Sequence, residues 1–417
     1  MLGQTAVPLV GIVDTAVIGR TGDAAALAGV ALGTTIINFL FWSFGFLRMG
    51  MTGMTAQAEG AGDRTEVDAM LGRGLVVGFG LGLALVAAQL LLIPAAFAIL
   101  AGGPDVDASA QPYVAARFLG APASLAVFAI NGWLLGLGRS RTALALQIVM
   151  NLVNLLLDVI FVWHFGLGAR GVGLGTACAE WTALATGLLL VAPHLGALRD
   201  RARLFHRAAL GRLFAVNADI MIRTIALLTL FAWLANAGAR LGTTTLAANQ
   251  VLMQAVGLVA FVLDGFAFTA ESRVGLAIGG GSRGDLIRAI RLTAEFSFGF
   301  AALACVLILI AGDPSIHFLA TNGQVRATAI MLLPFVAFLP LIGTPAWLLD
   351  GIFIGATGGK ALRNAALLST ALYIATDLLL RPWGVWGLWT AFVASYLYRA
   401  VALGAHLPRL IDSVTRR

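Results

Sequence analysis

Apolar residues occupy the chain in blocks of roughly 18 to 29, the length a helix needs to cross a bilayer. Short turns carrying Gly, Pro, Asp and Arg separate them. The blocks lack the polar–apolar alternation of a membrane-spanning strand, which excludes an outer-membrane barrel. They predict twelve helical spans, near residues 2–19, 24–47, 70–98, 113–137, 142–164, 171–193, 214–237, 244–270, 289–311, 327–354, 361–380 and 384–407. The expected fold class is all-α, a polytopic membrane protein. The first apolar run, Ala6 to Gly19, is short for a span, so the chain is expected to begin partway along its first helix. No basic segment precedes that run, so no secretory signal is expected.

Composition narrows the function classes. Of 417 residues, 59% are hydrophobic and only 11% charged, with a mean hydropathy of +0.92. Soluble domains carry about 25% charged residues, so a soluble enzyme and a disordered chain are both excluded. The net charge is +7, but the basic residues (26 Arg and Lys360) are scattered through loops. Nucleic-acid binding would need them gathered on one face, and none is expected. Cys178 and Cys305 lie inside apolar runs and are expected to be buried thiols rather than a disulfide. His164, His194, His206, His317 and His406 show no metal-ligand spacing, so no resident metal or other cofactor is expected.

The loops differ by side. Those after even-numbered spans, with their flanks and the C-terminal tail, hold 20 basic residues, among them Arg48, Arg64, Arg73, Arg139, Arg201 and Arg283. The opposite face holds six: Arg20, Arg117, Arg170, Arg240, Arg326 and Arg381. Arg223 alone reads as clearly mid-span. This bias places the richer loops and both termini in the cytoplasm, in an inner (plasma) membrane. The basic segment 194–213 reads as a cytoplasmic linker between an amino-terminal lobe, 1–193, and a carboxy-terminal lobe, 214–407, with a tail at 408–417.

The lobes repeat. Phe44-Gly45-Phe46 matches Asp264-Gly265-Phe266, 220 positions on. Asn131-Gly132 through Gly136 matches Asp350-Gly351 through Gly355, 219 on. Gly171-Val172 with Thr176-Ala177 matches Gly384-Val385 with Thr390-Ala391, 213 to 214 on. Six spans per copy keep both copies in one orientation, a parallel repeat with the substrate path expected between the lobes.

Polar groups inside spans carry the candidate chemistry, because an acid at mid-bilayer costs about 2.5–3.5 kcal/mol on the insertion scale. Asp14 lies in span 1. Asn154 and Asp158 in span 5 are four apart and share a helix face. Asn131 lies in span 4 and Thr176 in span 6. In one bundle these five could converge, offering two carboxylates, two amide oxygens and a hydroxyl. That set suits either Na⁺ or a shared proton, and otherwise serves helix packing. Asn38, Glu180, Asn249 and Gln250 are candidates to line the central cleft. Asp219 and Arg223, also four apart, read as a structural intrahelical ion pair. Asp264, Asp350 and Asp377 read as helix-end contacts. Phe39, Phe41, Phe44, Phe46, Met49, Met51 and Met54 offer either core packing or an adaptable wall for organic cations. Neither a P-loop nor a G-x-S-x-G or H-E-x-x-H motif occurs, so any pumping is expected to draw on an ion gradient or a separate subunit.

Three segments carry a family resemblance: Pro8 through Gly19, Asn154-Leu155-Leu156-Leu157-Asp158, and Asp350 through Thr357. With them the chain resembles the MATE (multidrug and toxic compound extrusion) transporters, specifically their DinF-like branch. The resemblance implies two six-helix lobes in a V around a central cleft, and cation-coupled efflux of drugs or other organic solutes. It implies a coupling site at Asp14, Asn131, Asn154, Asp158 and Thr176. The expected partners are the lipid bilayer and a cationic or amphipathic small molecule, with H⁺ or Na⁺ as coupling ion. A monomer is the expectation. A flippase for lipid-linked precursors is the nearest alternative and would be expected to carry a more cationic cleft.

Overall fold

The computed structural model describes Asp14, residues 16–100 and residues 102–414. Most of the expected first span therefore lies outside the described residues; Asp14 and residues 16–19 of it are helical. The remaining expected spans are helices. In the amino-terminal half these are α1 (Ala24–Ser43), α2 (Phe46–Gly60), α3 (Arg64–Ile99), α4 (Pro104–Phe118), α5 (Ala121–Gly136), α6 (Ser140–Val159) and α7 (Gly168–Leu190). In the carboxy-terminal half they are α8 (Arg207–Arg240), α9 (Thr243–Gly279), α10 (Arg283–Leu319), α11 (Gly323–Gly355), α12 (Gly359–Leu380), α13 (Gly384–Gly404) and the short α14 (Leu407–Val414). No strand occurs among the described residues. Helices satisfy every backbone group within their own segment, which hydrocarbon requires.

Among the described residues, eight continuous apolar stretches are long enough to cross a membrane, and the bent pair α4–α5 makes a ninth. The stretch Gly359–Val414 among them holds both α12 and α13, parted by the turn Arg381–Trp383. Local chemistry sets the boundaries. Asp23 caps α1 by accepting the Ala26 amide at 2.9 Å, and Asp63 caps α3 by accepting the Glu66 amide at 2.9 Å. Asn322 accepts the amides of Gln324 and Val325 at the start of α11. Pro122 lacks the N–H that would continue α4, and the chain turns by 53° between α4 and α5. Several helices overrun their apolar blocks: α3 starts at Arg64 and α10 at Arg283, ahead of the first apolar residues. Likewise α8 begins at Arg207, inside the segment expected to be a linker; a 3₁₀ stretch (Ala192–Arg199) and a single turn (Arg201–Leu204) precede it.

The chain divides into two compact units between Phe214 and Ala215, with Gly60–Gly62 grouped with the carboxy-terminal one. In the amino-terminal unit α1 packs on α4, α3 on α5, α6 on α7, and α7 also on α4 and α5. In the carboxy-terminal unit α9 packs on α11, α10 on α11, α12 on α13, and α13 also on α11. Each unit thus joins its second span to its fourth, third to fourth, fourth to sixth and fifth to sixth.

The repeat holds at atomic detail. A Cβ on Gly132 would meet the Arg48 carbonyl, and one on Gly136 the Thr52 carbonyl. A Cβ on Gly351 would meet the Ala267 carbonyl, and one on Gly355 the Glu271 carbonyl. All four pairs of equivalents stand 219 positions apart. In both units a glycine pair lets the fourth span lie directly on the backbone of the second. This offset aligns Gly45 with Asp264, not Gly265, so the match expected at 220 is one residue out. Of the aromatic and methionine cluster, Phe41, Phe46, Met51 and Met54 are core residues, while Phe39 is 59% exposed. Cys305 is buried, but Cys178 is exposed on α7, contrary to expectation; both are free.

Candidate functional site

Four of the five expected coupling residues meet inside the amino-terminal unit. Asp14, Asn154, Asp158 and Thr176 are all buried, Asp158 completely. Helix α6 presents Asn154 and Asp158 one turn apart, and the Asn154 amide donates to Asp158 Oδ2 at 3.0 Å. The same Nδ2 lies 3.1 Å from Thr176 Oγ1 on α7 and 3.5 Å from Asp14 Oδ1. Asp14 and Asp158 are in hydrogen-bonding reach of one another. Two oxygens of the cluster, Asp158 Oδ1 and Asn154 Oδ1, are buried with no hydrogen-bond partner among the described residues. Asn131 does not join the group by any hydrogen bond; its Oδ1 is likewise buried and unpartnered.

Local backbone makes room for this cluster. Directly after Asp158's turn, α6 passes into a π turn at Ile160–His164, a device common at functional sites. The π turn carries Trp163, whose indole N–H donates to the Val17 carbonyl at 3.1 Å and so ties α6 to the segment bearing Asp14. On α7, a Cβ at Gly175 would collide with Asp158 Oδ1 and one at Gly173 with the Tyr113 carbonyl. Only glycines let α7 approach so closely.

Two neighbours escaped the sequence reading. Tyr113 is buried beside Asp14, its hydroxyl 3.0 Å from Thr34 Oγ1. Arg117, expected on an outer face, is instead buried at the end of α4 and donates to Glu180 at 2.9 Å. Glu180, expected as a cleft-lining residue, is an interior partner of that arginine. The guanidinium sits 5.5 Å from the Phe41 ring and within electrostatic reach of Asp14 and Asp158. A one-dimensional reading sees Arg117 only as a basic residue near a turn. The packing of α4 on α7, which carries Glu180, is what buries it.

The carboxy-terminal unit departs from expectation in its ion pairs. Asp219 and Arg223 do not pair with each other. Asp219 takes Arg363 of α12 at 2.6 Å, and Arg223 takes Asp350 of α11. A second arginine, buried Arg399 of α13, stands 3.7 Å from Asp350. Asp350 is therefore an interior hub between α8, α11 and α13, not a helix-end contact. Residues four apart share a helix face, but here that face meets better-placed partners on other helices. Asn249, expected to line a cleft, is buried in the core and accepts the Trp389 indole N–H at 2.9 Å. Asn38 and Gln250 are exposed.

Counting 219 onward from the coupling cluster lands on a different chemistry. Asp14 corresponds to Trp233, Asn154 to Tyr373 and Asp158 to Asp377. Trp233 donates its indole N–H to Asp377 Oδ2 at 2.8 Å, and Arg240 stands 3.7 Å from the same oxygen. One acid of the pair is kept; the other is a tryptophan, and the amide a tyrosine.

Among the described residues no group of three or more His, Cys, Asp or Glu is placed to hold a metal. The chain matches the sequence pattern of the MatE family over residues 1–160 and 220–379. It is 37% identical over 403 residues to DNA damage-inducible protein F of Escherichia coli strain K12, covering 96% of this chain and 88% of that one. It is 27% identical over 426 residues to a probable multidrug resistance protein NorM of Agrobacterium fabrum, covering 95% and 89%. Its fold matches a MOP superfamily transporter from Pyrococcus furiosus with a TM-score of 0.89 at 16% identity, covering 99% and 94%. An outward-facing multidrug resistance MATE transporter matches with the same TM-score and identity, covering 100% and 94%.

Proposed function

Because the chain belongs to the MatE family, we propose that it is a secondary active antiporter that exports drugs or other organic solutes in exchange for H⁺ or Na⁺. It is a multi-pass membrane transporter, not an enzyme. Its relatives named as multidrug resistance proteins support small organic substrates. The observation that carries the coupling role is the pair Asp14 and Asp158, buried together around one asparagine amide. Two adjacent buried carboxyls cannot both stay charged without a compensating cation. A proton on the pair supplies that charge. So does Na⁺, with the unpartnered oxygens of Asp158 and Asn154 and the Thr176 hydroxyl as ready ligands.

The cation drives transport only through its different affinity for the two access states. Ion binding at Asp14 and Asp158 in the outward state disfavours substrate; ion release to the cytoplasm readmits it. The arginine bias of the loops supports cytoplasmic termini in an inner membrane. The flippase alternative is weaker, since the interior arginines Arg117, Arg223 and Arg399 each face a carboxylate and offer no free phosphate clamp. The test is dye efflux from proteoliposomes with proton and sodium gradients imposed separately. One gradient should drive efflux by the wild type, and Asp14→Asn and Asp158→Asn should each abolish it while the helical circular-dichroism signal persists. Undiminished efflux from both variants would remove the site from the mechanism.

A further inference from the structure

The image of the coupling cluster in the carboxy-terminal unit opens onto a cavity of about 250 Å³. Ala237, Arg240 and Leu241 at the end of α8 line it, with Asp377 of α12, Arg381 of the turn Arg381–Trp383, and Gly384, the first residue of α13. We propose that this cavity binds the phosphodiester headgroup of a bilayer phospholipid.

Charge is the first argument. Arg240 and Arg381 contribute two positive charges, and buried Asp377 one negative, leaving the lining at +1. That balance suits a singly charged phosphodiester better than a phosphate dianion. Asp377 is already engaged by Trp233 and Arg240. The Arg381 side chain has no hydrogen-bond or ion-pair partner among the described residues, so it is the guanidinium left to take a ligand. Guanidinium is the side chain best matched to phosphate oxygens.

The backbone adds to it. Helix α13 is 21 residues long, and no side chain caps its N-terminus. Gly384 on the cavity wall already donates its amide to the Arg381 carbonyl; the first amides beyond it, from Val385 on, stand at the positive end of the helix dipole. Anions bind at such ends. Here the cavity and the free arginine stand at the same place.

Position identifies the source of the phosphate. Trp383 and Trp386 beside the cavity are 65% and 46% exposed, Leu379 is 79% exposed, and Arg240 lies over the Trp233 ring at 5.2 Å. Exposed tryptophans with arginines mark the level of lipid headgroups in a membrane protein. The volume exceeds a phosphate group and leaves room for the glycerol or ethanolamine beyond it.

The test uses the purified full chain in detergent, titrated with phosphatidylglycerol or phosphatidylethanolamine, and read by lipid retention in native mass spectrometry and by thermal unfolding. Diacylglycerol and inorganic phosphate are the control arms. The phospholipids should be retained and raise the unfolding temperature. Arg381→Gln should weaken retention about tenfold, and Arg381→Lys should restore part of it. Because Arg381 is exposed and unpartnered, its substitution leaves the unliganded fold intact. Equal retention by Arg381→Gln, or equal effect of diacylglycerol, would overturn the site. An equal effect of inorganic phosphate would overturn its assignment to lipid.

Discussion

Trp233 donates its indole N–H to Asp377 at 2.8 Å, occupying the place that Asp14 holds beside Asp158 one repeat earlier. The same helix positions therefore present a carboxyl pair in one unit and a closed hydrogen bond in the other. Only the first arrangement leaves buried carboxylate oxygen without a partner.

Trp233→Phe keeps the ring and removes the donor. The buried Asp377 then loses a hydrogen bond, at a cost of about 1–3 kcal/mol. A lowered unfolding temperature is expected, with gradient-driven dye efflux retained. Loss of efflux without loss of stability would show that the second unit also couples ions.

Gly175 stands against Asp158 Oδ1 with no space for a methyl group. Gly175→Ala must displace either the Asp158 carboxyl or the α6–α7 contact. Gradient-driven efflux should fall severely, while Gly211→Ala, at a helical glycine with open surroundings, should leave efflux unchanged and gain about 0.5–1 kcal/mol of stability. Equal efflux from the two variants would contradict the tight fit.

Arg117 and Glu180 form a buried pair at 2.9 Å, with side chains only 9% and 6% exposed. Removing one partner leaves the other charged and unpaired, at a cost of about 3–5 kcal/mol. Arg117→Met and Glu180→Gln should each lower the unfolding temperature strongly. The double variant Arg117→Met with Glu180→Met should recover most of it, because both charges leave together. A double variant as unstable as the sum of the singles would mean that Arg117 is held chiefly by Asp14 and Asp158.

Asp63 caps α3 from the loop, and hydrogen bonds from the Thr65 hydroxyl and the Glu66 amide hold its carboxyl below the usual 3.8. A lowered pKa in the folded state means that the stabilisation is complete above about 3.8 and fades as pH falls through the lower, folded value. Amide exchange at the first turn of α3, corrected for its intrinsic pH dependence, should therefore lose protection only below that range. Asp63→Ala should show the unprotected rate at every pH.

Much of the fold is legible without coordinates, and the reasons are local. An apolar block long enough to span a bilayer has to be helical there, so the spans after the first coincide with helices. The arginine bias needs only the loop sequence. Asn154 and Asp158 share a face because they are four apart, and both do meet Asp14. Spacing also misleads: Asp219 and Arg223 satisfy the same four-residue rule, yet each turns to a different helix.

What the chain's order of residues determined by itself is the set of helices, the charge bias of their loops, the duplication, and which residues lie on one helical face. What only the tertiary structure decided is which faces meet. The packing of α4 on α7 brings Arg117 to Glu180, Gly175 opens the space for Asp158, and the hub at Asp350 gathers two arginines from α8 and α13. The physical reason is that helical periodicity sets a side chain's direction about its own axis. Its partner depends on how neighbouring helices cross and how closely their small residues let them approach, and that is settled by the packing of all of them together.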